Sequence, residues 1–168
     1  SLKQARGDDI KEREFVSKMY HNVKVMDPAA RASMTTFAER GIGDVLLTWE
    51  NEAMISKKTL GDKFDIVYPS MSILTEPSVA IVDKTVEKNG NKWLATGYIN
   101  YLYSPLGQDM AARHFYRPRN PQILAKYSKQ FPALKTFTID EVFGGWAKAQ
   151  QTHFVNGGMF DQIYNSKR

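Results

Sequence analysis

Residue types that perform covalent or metal chemistry are sparse in this chain. It has no cysteine, which excludes a disulfide framework, a thiolate metal site and a cysteine nucleophile. The three histidines, His21, His114 and His153, are far apart and fall in no metal-binding spacing. The sequence also lacks a nucleophile elbow, a phosphate-binding loop and a dinucleotide glycine motif. We therefore predict that the chain is not an enzyme and has no catalytic residue, no metal site and no cofactor.

The stretch 22–49 has residue types suited to binding an anion. An aspartate followed by a proline predicts a helix start at Asp27, and the free N–H groups of that first turn include the one of Ala30. If a strand returns along this helix, both elements run about 20 Å and Trp49 arrives beside the helix start. An indole N–H donates and cannot accept, so the two groups together suit an anion. The alternative is that Trp49 belongs to the core and that Asp27 only caps the helix.

Charged residues supply two further candidates. Glu50 and Glu52 are a carboxylate pair by type, but two residues apart on a helix they point to different faces, so we interpret them as solvated. The net charge of +5 arises entirely after residue 100 and concentrates in the segment 113–135, which has six basic and no acidic residues. Such a segment, with aromatic residues interleaved, could bind a nucleic acid or another polyanion. A solvated helix face is the alternative.

Length and patterning define the elements that must position these groups. The 168 residues, of mass 19.1 kDa and 42% hydrophobic, suffice for a core. No apolar run approaches the roughly 20 residues of a membrane span, and the amino end lacks the apolar centre of a signal peptide. Strand and helix signals alternate in the first half and helix signals dominate the second, which predicts an α/β architecture.

Capping residues, prolines and glycines mark the ends of the predicted helices and strands. Strand signals lie at 22–26, 44–49, 64–68 and 79–82. Helices are predicted at 8–20, 28–40, 51–60 and 91–103, and after Ser104-Pro105 and Asn120-Pro121. A capping box at Thr138 introduces a last long helix, in which Gly144-Gly145 indicates close packing, a bend or a break.

Several segments, in the right order, resemble the periplasmic sulfate-binding proteins that deliver sulfate or thiosulfate to ABC importers. The most extensive is FAERGIGDVLLTWENEA at 37–53, and FTIDEVFGGWAKAQ follows at 137–150. The shorter ones are SILTEP at 72–77, YLYSP at 101–105, FYRPR at 115–119 and GGMFDQI at 157–163. The resemblance covers nearly the whole chain.

The resemblance implies a two-lobed, hinge-closing receptor of the type II periplasmic-binding-protein fold, of which this chain is similar to the carboxy-terminal half. It implies that 1–70 completes the second, anion-binding lobe and that 71–77 crosses between the lobes. Residues 78–168 would form the carboxy-terminal part of the first lobe together with the closing helices.

The same resemblance implies how the anion is held. In the family, uncharged donors bind the sulfate, among them a backbone N–H that matches Ala30 and an indole N–H that matches Trp49. Arg31 matches an arginine that hydrogen-bonds the surrounding backbone. Where the family usually has Ser-Gly, this chain has Pro28-Ala29, which removes one N–H and leaves that of Ala30. The other family ligands have no counterpart in this chain.

The implied partners follow from this resemblance. They are sulfate, the membrane permease of an ABC importer, and either the missing amino-terminal half or a second copy of the fragment, in the periplasm. Thiosulfate, a molybdate-type oxyanion and, from a different class, a nucleic acid bound at 113–135 stay as alternatives.

Overall fold

The computed structural model describes residues 9–165, which form two compact units. The first unit contains residues 9–47, 71–74 and 136–165. The second contains residues 48–70 and 75–135. Each unit therefore combines segments that are distant in the sequence.

Helices dominate the described residues. In chain order they are α1 (Asp9–His21), α2 (Ala30–Met34), α3 (Glu50–Leu60), α4 (Asp83–Asn89), α5 (Lys92–Tyr103), α6 (Pro105–Arg113), α7 (Pro121–Lys126), α8 (Ile139–Phe143), α9 (Trp146–Ala149) and α10 (Met159–Asn165). Turns of π-helix extend α2 over Thr35–Glu39 and α9 over Gln150–Phe154. None of the helices in the described part of the chain has the length and apolarity needed to cross a membrane.

Three of the helix starts that carry a side-chain cap signal are confirmed, at Ser104, Asn120 and Thr138. Ser104 accepts a hydrogen bond from the backbone N–H of Gly107 at the start of α6. Asn120 caps α7 in the same way, and Thr138 forms both hydrogen bonds of a capping box with Glu141. These caps lie within three residues of their partners, which is why sequence alone predicts them.

The strand predictions, and with them the sheet-rich part of the α/β prediction, are not confirmed. The two strands among residues 9–165 are β1 (Ser72–Ile73) and β2 (Thr136–Phe137), which pair in parallel. The segments 22–26, 44–49, 64–68 and 79–82 contain no strand, so the region 22–49 is not a β-α-β unit. An apolar pattern shows that residues are suited to a strand, but a strand also requires a hydrogen-bonded neighbour, which the pattern does not specify. Val45, Leu47 and Val67 in these segments are exposed.

Two local predictions are wrong. Helix α2 begins at Ala30 with Ala29 in the capping position and without a side-chain cap, so Asp27 does not cap it. The predicted long helix after Thr138 is divided at Gly144-Gly145, because both glycines adopt positive φ angles of 70° and 92°. Such angles end one helix and begin the next, so the break is the correct interpretation.

The core of the first unit is rich in aromatic contacts. Met34 and Ala149 are buried there. Tyr20 of α1 packs edge-on against Phe160 of α10 at 5.3 Å between ring centroids, and Phe160 stacks on Tyr164 at 5.7 Å. These rings join the first and last described helices.

The core of the second unit centres on Phe131, which is 3% exposed and clusters with Met54 and Ala112. Phe115 and Tyr68 pack against this cluster. Helices α5 and α6 approach closely at Gly107, which has no Cβ. A Cβ at this position would lie 2.1 Å from the carbonyl oxygen of Tyr101.

A buried carboxylate organises the polar side of this second unit. Asp109 is 7% exposed and accepts hydrogen bonds from Arg113 Nε at 2.8 Å, Lys126 Nζ at 2.5 Å and the Tyr127 hydroxyl at 3.0 Å. The hydrogen bond from Lys126, assisted by those from Tyr127 and Arg113, lowers the pKa of Asp109 to about 2. Asp109 thus stays ionised and connects α6 with α7.

We predict that Asp109→Asn lowers the melting temperature near pH 7, because it removes the charge shared by three donors. The pKa of Asp109 is depressed in the folded state, so its ionisation adds stability above the usual value of 3.8 and this stability is lost as the pH falls through about 2. The difference in Tm between wild type and variant, followed by circular dichroism, should shrink on acidification. Asp62→Asn is the matched control, since the Asp62 side chain is 98% exposed. An equal difference near pH 7 and near pH 2 would contradict the prediction.

Candidate functional site

Ala30 is the first residue of α2 and is half-buried in the first unit. The preceding Ala29 is extended, with φ −153° and ψ 152°. Its carbonyl oxygen accepts the backbone N–H of Ser33 at 3.0 Å and the Ser33 hydroxyl at 3.3 Å. The Ala30 N–H belongs to the first turn and donates to no partner among the described residues. In this part of the chain it is therefore a free donor, and its role in binding an anion stays a prediction.

Arg31 follows Ala30 and is exposed in the same helical turn. Its predicted role in holding the surrounding backbone stays a prediction.

Trp49 lies in the second unit, at the residue before α3. Its carbonyl oxygen accepts the N–H of Ala53 at 3.1 Å, which fixes the residue at the helix start. The side chain is 52% exposed, and within residues 9–165 its indole N–H has no hydrogen-bond partner. Tryptophan usually buries its ring and pairs its N–H, so an indole left in this state is a free donor. This exposure excludes the alternative that Trp49 is a core residue of its unit.

Among the residues that the structure describes, Ala30 and Trp49 thus each present an N–H donor without a hydrogen-bond partner, one in each unit. The strand that sequence geometry required to bring them together is not formed. That they share one anion site stays a prediction.

The residue next to Trp49 is held by an ion pair that sequence reasoning missed. Arg117 binds the Glu50 carboxylate in a bidentate manner, from Nε to Oε2 at 2.9 Å and from Nη2 to Oε1 at 2.6 Å. The two side chains are 21% and 24% exposed, so Glu50 is not the solvated residue that was predicted. Burial, with the nearby Glu50 charge, raises the pKa of Tyr68 beside this pair.

The turn after α6 directs Arg117 toward this ion pair. Tyr116 donates its N–H to the Ala111 carbonyl at 2.9 Å, and Phe115 donates to Ala112 at 3.0 Å, the two hydrogen bonds of a Schellman motif. The left-handed position of that motif, usually glycine, is Phe115 with φ 67°. A side chain in this conformation costs about 1 kcal/mol or more. The Phe115 ring packs against the core cluster around Phe131, which offsets that cost.

Four of the six cations in the basic segment 113–135 are paired with carboxylates from elsewhere in the second unit. Arg113 and Lys126 pair with Asp109, and Arg117 pairs with Glu50. Arg119 lies 3.8 Å from Glu76. The sequence suggested a polyanion surface only because these partners lie outside the segment. Paired guanidinium groups do not form the free basic stripe that a nucleic acid requires.

Comparison with known proteins points to one class. Residues 2–117 match the sequence model of a family described as bacterial extracellular solute-binding protein. The sulfate-binding protein of Salmonella typhimurium is 57% identical over 100% of this chain and 51% of the relative. Thiosulfate-binding proteins are 49% identical in Pseudomonas aeruginosa, over 95% of this chain and 48% of the relative, and 39% identical in Escherichia coli, over 96% and 48%. The chain spans about half the length of these relatives.

We expect the chain to bind duplex DNA only weakly, because four of its central cations are paired. Fluorescence anisotropy at about 150 mM salt should show no saturable binding. Tight, steeply salt-dependent binding that is lost on changing Arg117 and Arg119 to Gln, but not on Lys148→Gln, would contradict this interpretation.

Proposed function

Because the chain belongs to the bacterial extracellular solute-binding protein family, we propose that it is part of a receptor that binds sulfate in the periplasm and delivers it to an ABC importer. The observation that carries the proposal is the exposed, unpartnered indole N–H of Trp49. It lies within the segment 37–53, which most closely resembles sulfate-binding proteins. The 57% identity to the Salmonella protein supports the same ligand.

The proposed site holds the anion with neutral donors. Sulfate at neutral pH is a dianion with no proton to donate, so a buried site for it requires donors only. The Ala30 N–H, at the positive end of a helix, and the Trp49 indole N–H are two such donors. Arg31 would support the backbone around Ala30 without touching the anion.

In this proposal the chain supplies one part of a two-lobed, type II receptor. The segment 1–70 would complete the anion-binding lobe, 71–77 would cross between lobes, and 78–168 would complete the first lobe. The remaining ligands would come from the half of the receptor that this chain does not include. The receptor's other partner would be the membrane permease of the importer.

Thiosulfate is the second candidate ligand. It is favoured by the thiosulfate-binding relatives at 49% and 39% identity. Thiosulfate is also a tetrahedral dianion without a proton at neutral pH, so the same donors suit it. Competition between the two anions in one titration separates the candidates.

We predict that a receptor of full family length containing this chain binds sulfate and discriminates against phosphate near pH 7. Phosphate carries a proton that needs an acceptor, and a donor-only site leaves that proton unpaired. Isothermal titration calorimetry measures both affinities. Equal or tighter binding of phosphate would overturn the proposal.

Replacing Trp49 with Phe should weaken sulfate binding by about tenfold to a hundredfold, because a hydrogen bond to a charged group is lost while an aromatic ring remains. Trp93→Phe is the matched control, since Trp93 is a second exposed tryptophan of the same unit. Its affinity should equal that of the unchanged receptor. An unchanged affinity in Trp49→Phe would show that this indole is not a ligand.

Self-association of the isolated chain is a further expectation. Large apolar side chains are widely exposed, among them Val45, Leu47, Val67 and Trp93. Exposed apolar surface of this extent favours association with a complementary surface. Light scattering of the 168-residue chain should show dimers or larger species, reduced by changing Val45 and Leu47 to Lys. A monodisperse monomer would contradict the expectation.

A further inference from the structure

We propose that Arg117 is a positioning residue for the Trp49 indole and that it acts through the carboxylate of Glu50. The proposal rests on the proposed function in that the positioned indole is a sulfate donor. The positioning itself is a property of the second unit, which contains all the residues involved.

The ion pair holds the start of α3 at two points. Both guanidinium hydrogen bonds to Glu50 are shorter than 3.0 Å and lie in one fork, a geometry that fixes orientation as well as distance. Lysine could supply the charge but not the fork. Glu50 is the first residue of α3, where its negative charge also faces the positive end of the helix.

Arg117 is itself fixed to the core. Its Nη2 also donates to the Pro132 carbonyl at 3.1 Å, and its guanidinium carbon lies 5.2 Å from the centroid of the Phe131 ring. Phe131 is 3% exposed and belongs to the buried cluster with Met54 and Ala112, so the arginine is anchored to the core of the unit. The left-handed Phe115 turns the chain so that Arg117 can reach this position.

The orientation of the Trp49 side chain depends on the Arg117–Glu50 ion pair, because little else restrains it. Half of its side chain is exposed, and in the described structure its indole N–H makes no hydrogen bond. The direction of its Cα–Cβ bond is set by the backbone at the start of α3, which Glu50 secures through Arg117. A loosened helix start would let the indole sample several orientations, and binding an anion would then require ordering it.

The same ion pair neutralises a carboxylate adjacent to the donor. Glu50 is one residue from Trp49, and an unpaired carboxylate there would repel a dianion. Arg117 cancels that charge without contributing a free cation. The position of the Trp49 indole and the neutrality of its surroundings therefore depend on the same two side chains, those of Arg117 and Glu50.

The test measures the Trp49 indole in the 168-residue chain by 15N relaxation, with the resonance assigned from Trp49→Phe. In the unchanged chain the indole order parameter should match that of rigid backbone, about 0.85, and in Arg117→Gln it should fall to about 0.6 or below. Arg117→Lys should give an intermediate value. Arg119→Gln is the matched control, because Arg119 lies in the same segment but pairs at 3.8 Å with Glu76 at an exposed position.

A double-mutant cycle tests whether Arg117 acts on the indole through Glu50. Glu50→Gln alone should loosen the indole, and adding Arg117→Gln to it should cause no further change. If Arg117→Gln loosens the indole equally with or without Glu50, Arg117 acts by packing on Phe131 and the proposal is overturned. An indole that is already mobile in the unchanged chain, or that stays rigid in Arg117→Gln, also overturns it. Circular dichroism verifies that each variant is folded.

Sulfate titration of the full-length receptor separates this proposal from the proposed function. Arg117→Gln should weaken sulfate binding by about threefold to tenfold, the cost of ordering one large side chain. A receptor that binds no sulfate at all refutes the proposed function, while the indole measurements still decide the role of Arg117. An unaltered sulfate affinity in Arg117→Gln refutes the link between the two.

Discussion

The guanidinium of Arg117 joins the core of the second unit to the start of the helix that carries Trp49. It lies over the Phe131 ring, and it donates one hydrogen bond to the Pro132 carbonyl and two to the Glu50 carboxylate. The positive charge of this arginine is paired with the Glu50 carboxylate within the protein, so it is not free to bind an external anion. The most basic part of the chain is therefore a structural network, together with Asp109, Arg113 and Lys126. The remaining donors in the proposed site are neutral.

Neutral donors are what a fully ionised anion requires if it is to be bound and then released. A free cation would attract any anion, whereas N–H groups aimed at fixed points select by geometry and by the absence of an acceptor. The Ala30 N–H obtains its direction from the first turn of a helix, and the Trp49 indole from a helix start locked by an ion pair. The chain belongs to the bacterial extracellular solute-binding protein family, and it is similar to proteins named for binding sulfate and thiosulfate.

Several helix starts were predicted from the sequence because their determinants are local, although Asp27 does not cap α2. Asn120 and Thr138 cap helices through hydrogen bonds to residues two or three positions away, and both were predicted. The strand predictions were wrong because the local sequence does not specify the pairing partner of a strand. Ser72–Ile73, for example, pairs with Thr136–Phe137, more than sixty residues later. Glu50 and Arg117 were each misread as solvated or basic surface for the same reason, since 67 residues separate them. Trp49 could be identified as a candidate donor because an indole N–H is a donor in any fold. The ion pair beside it could not be predicted from the local sequence.

We propose that Ala30 and Trp49 donate to one bound sulfate. The most direct measurement follows the Ala30 amide and the Trp49 indole in 1H–15N spectra while sulfate is added to a full-length receptor that contains this chain. Both resonances should shift downfield and saturate along the same curve, because each N–H forms a hydrogen bond to the same anion. If only one of them moves, or if both stay unchanged while sulfate binds, the anion is held by other groups and the account is wrong.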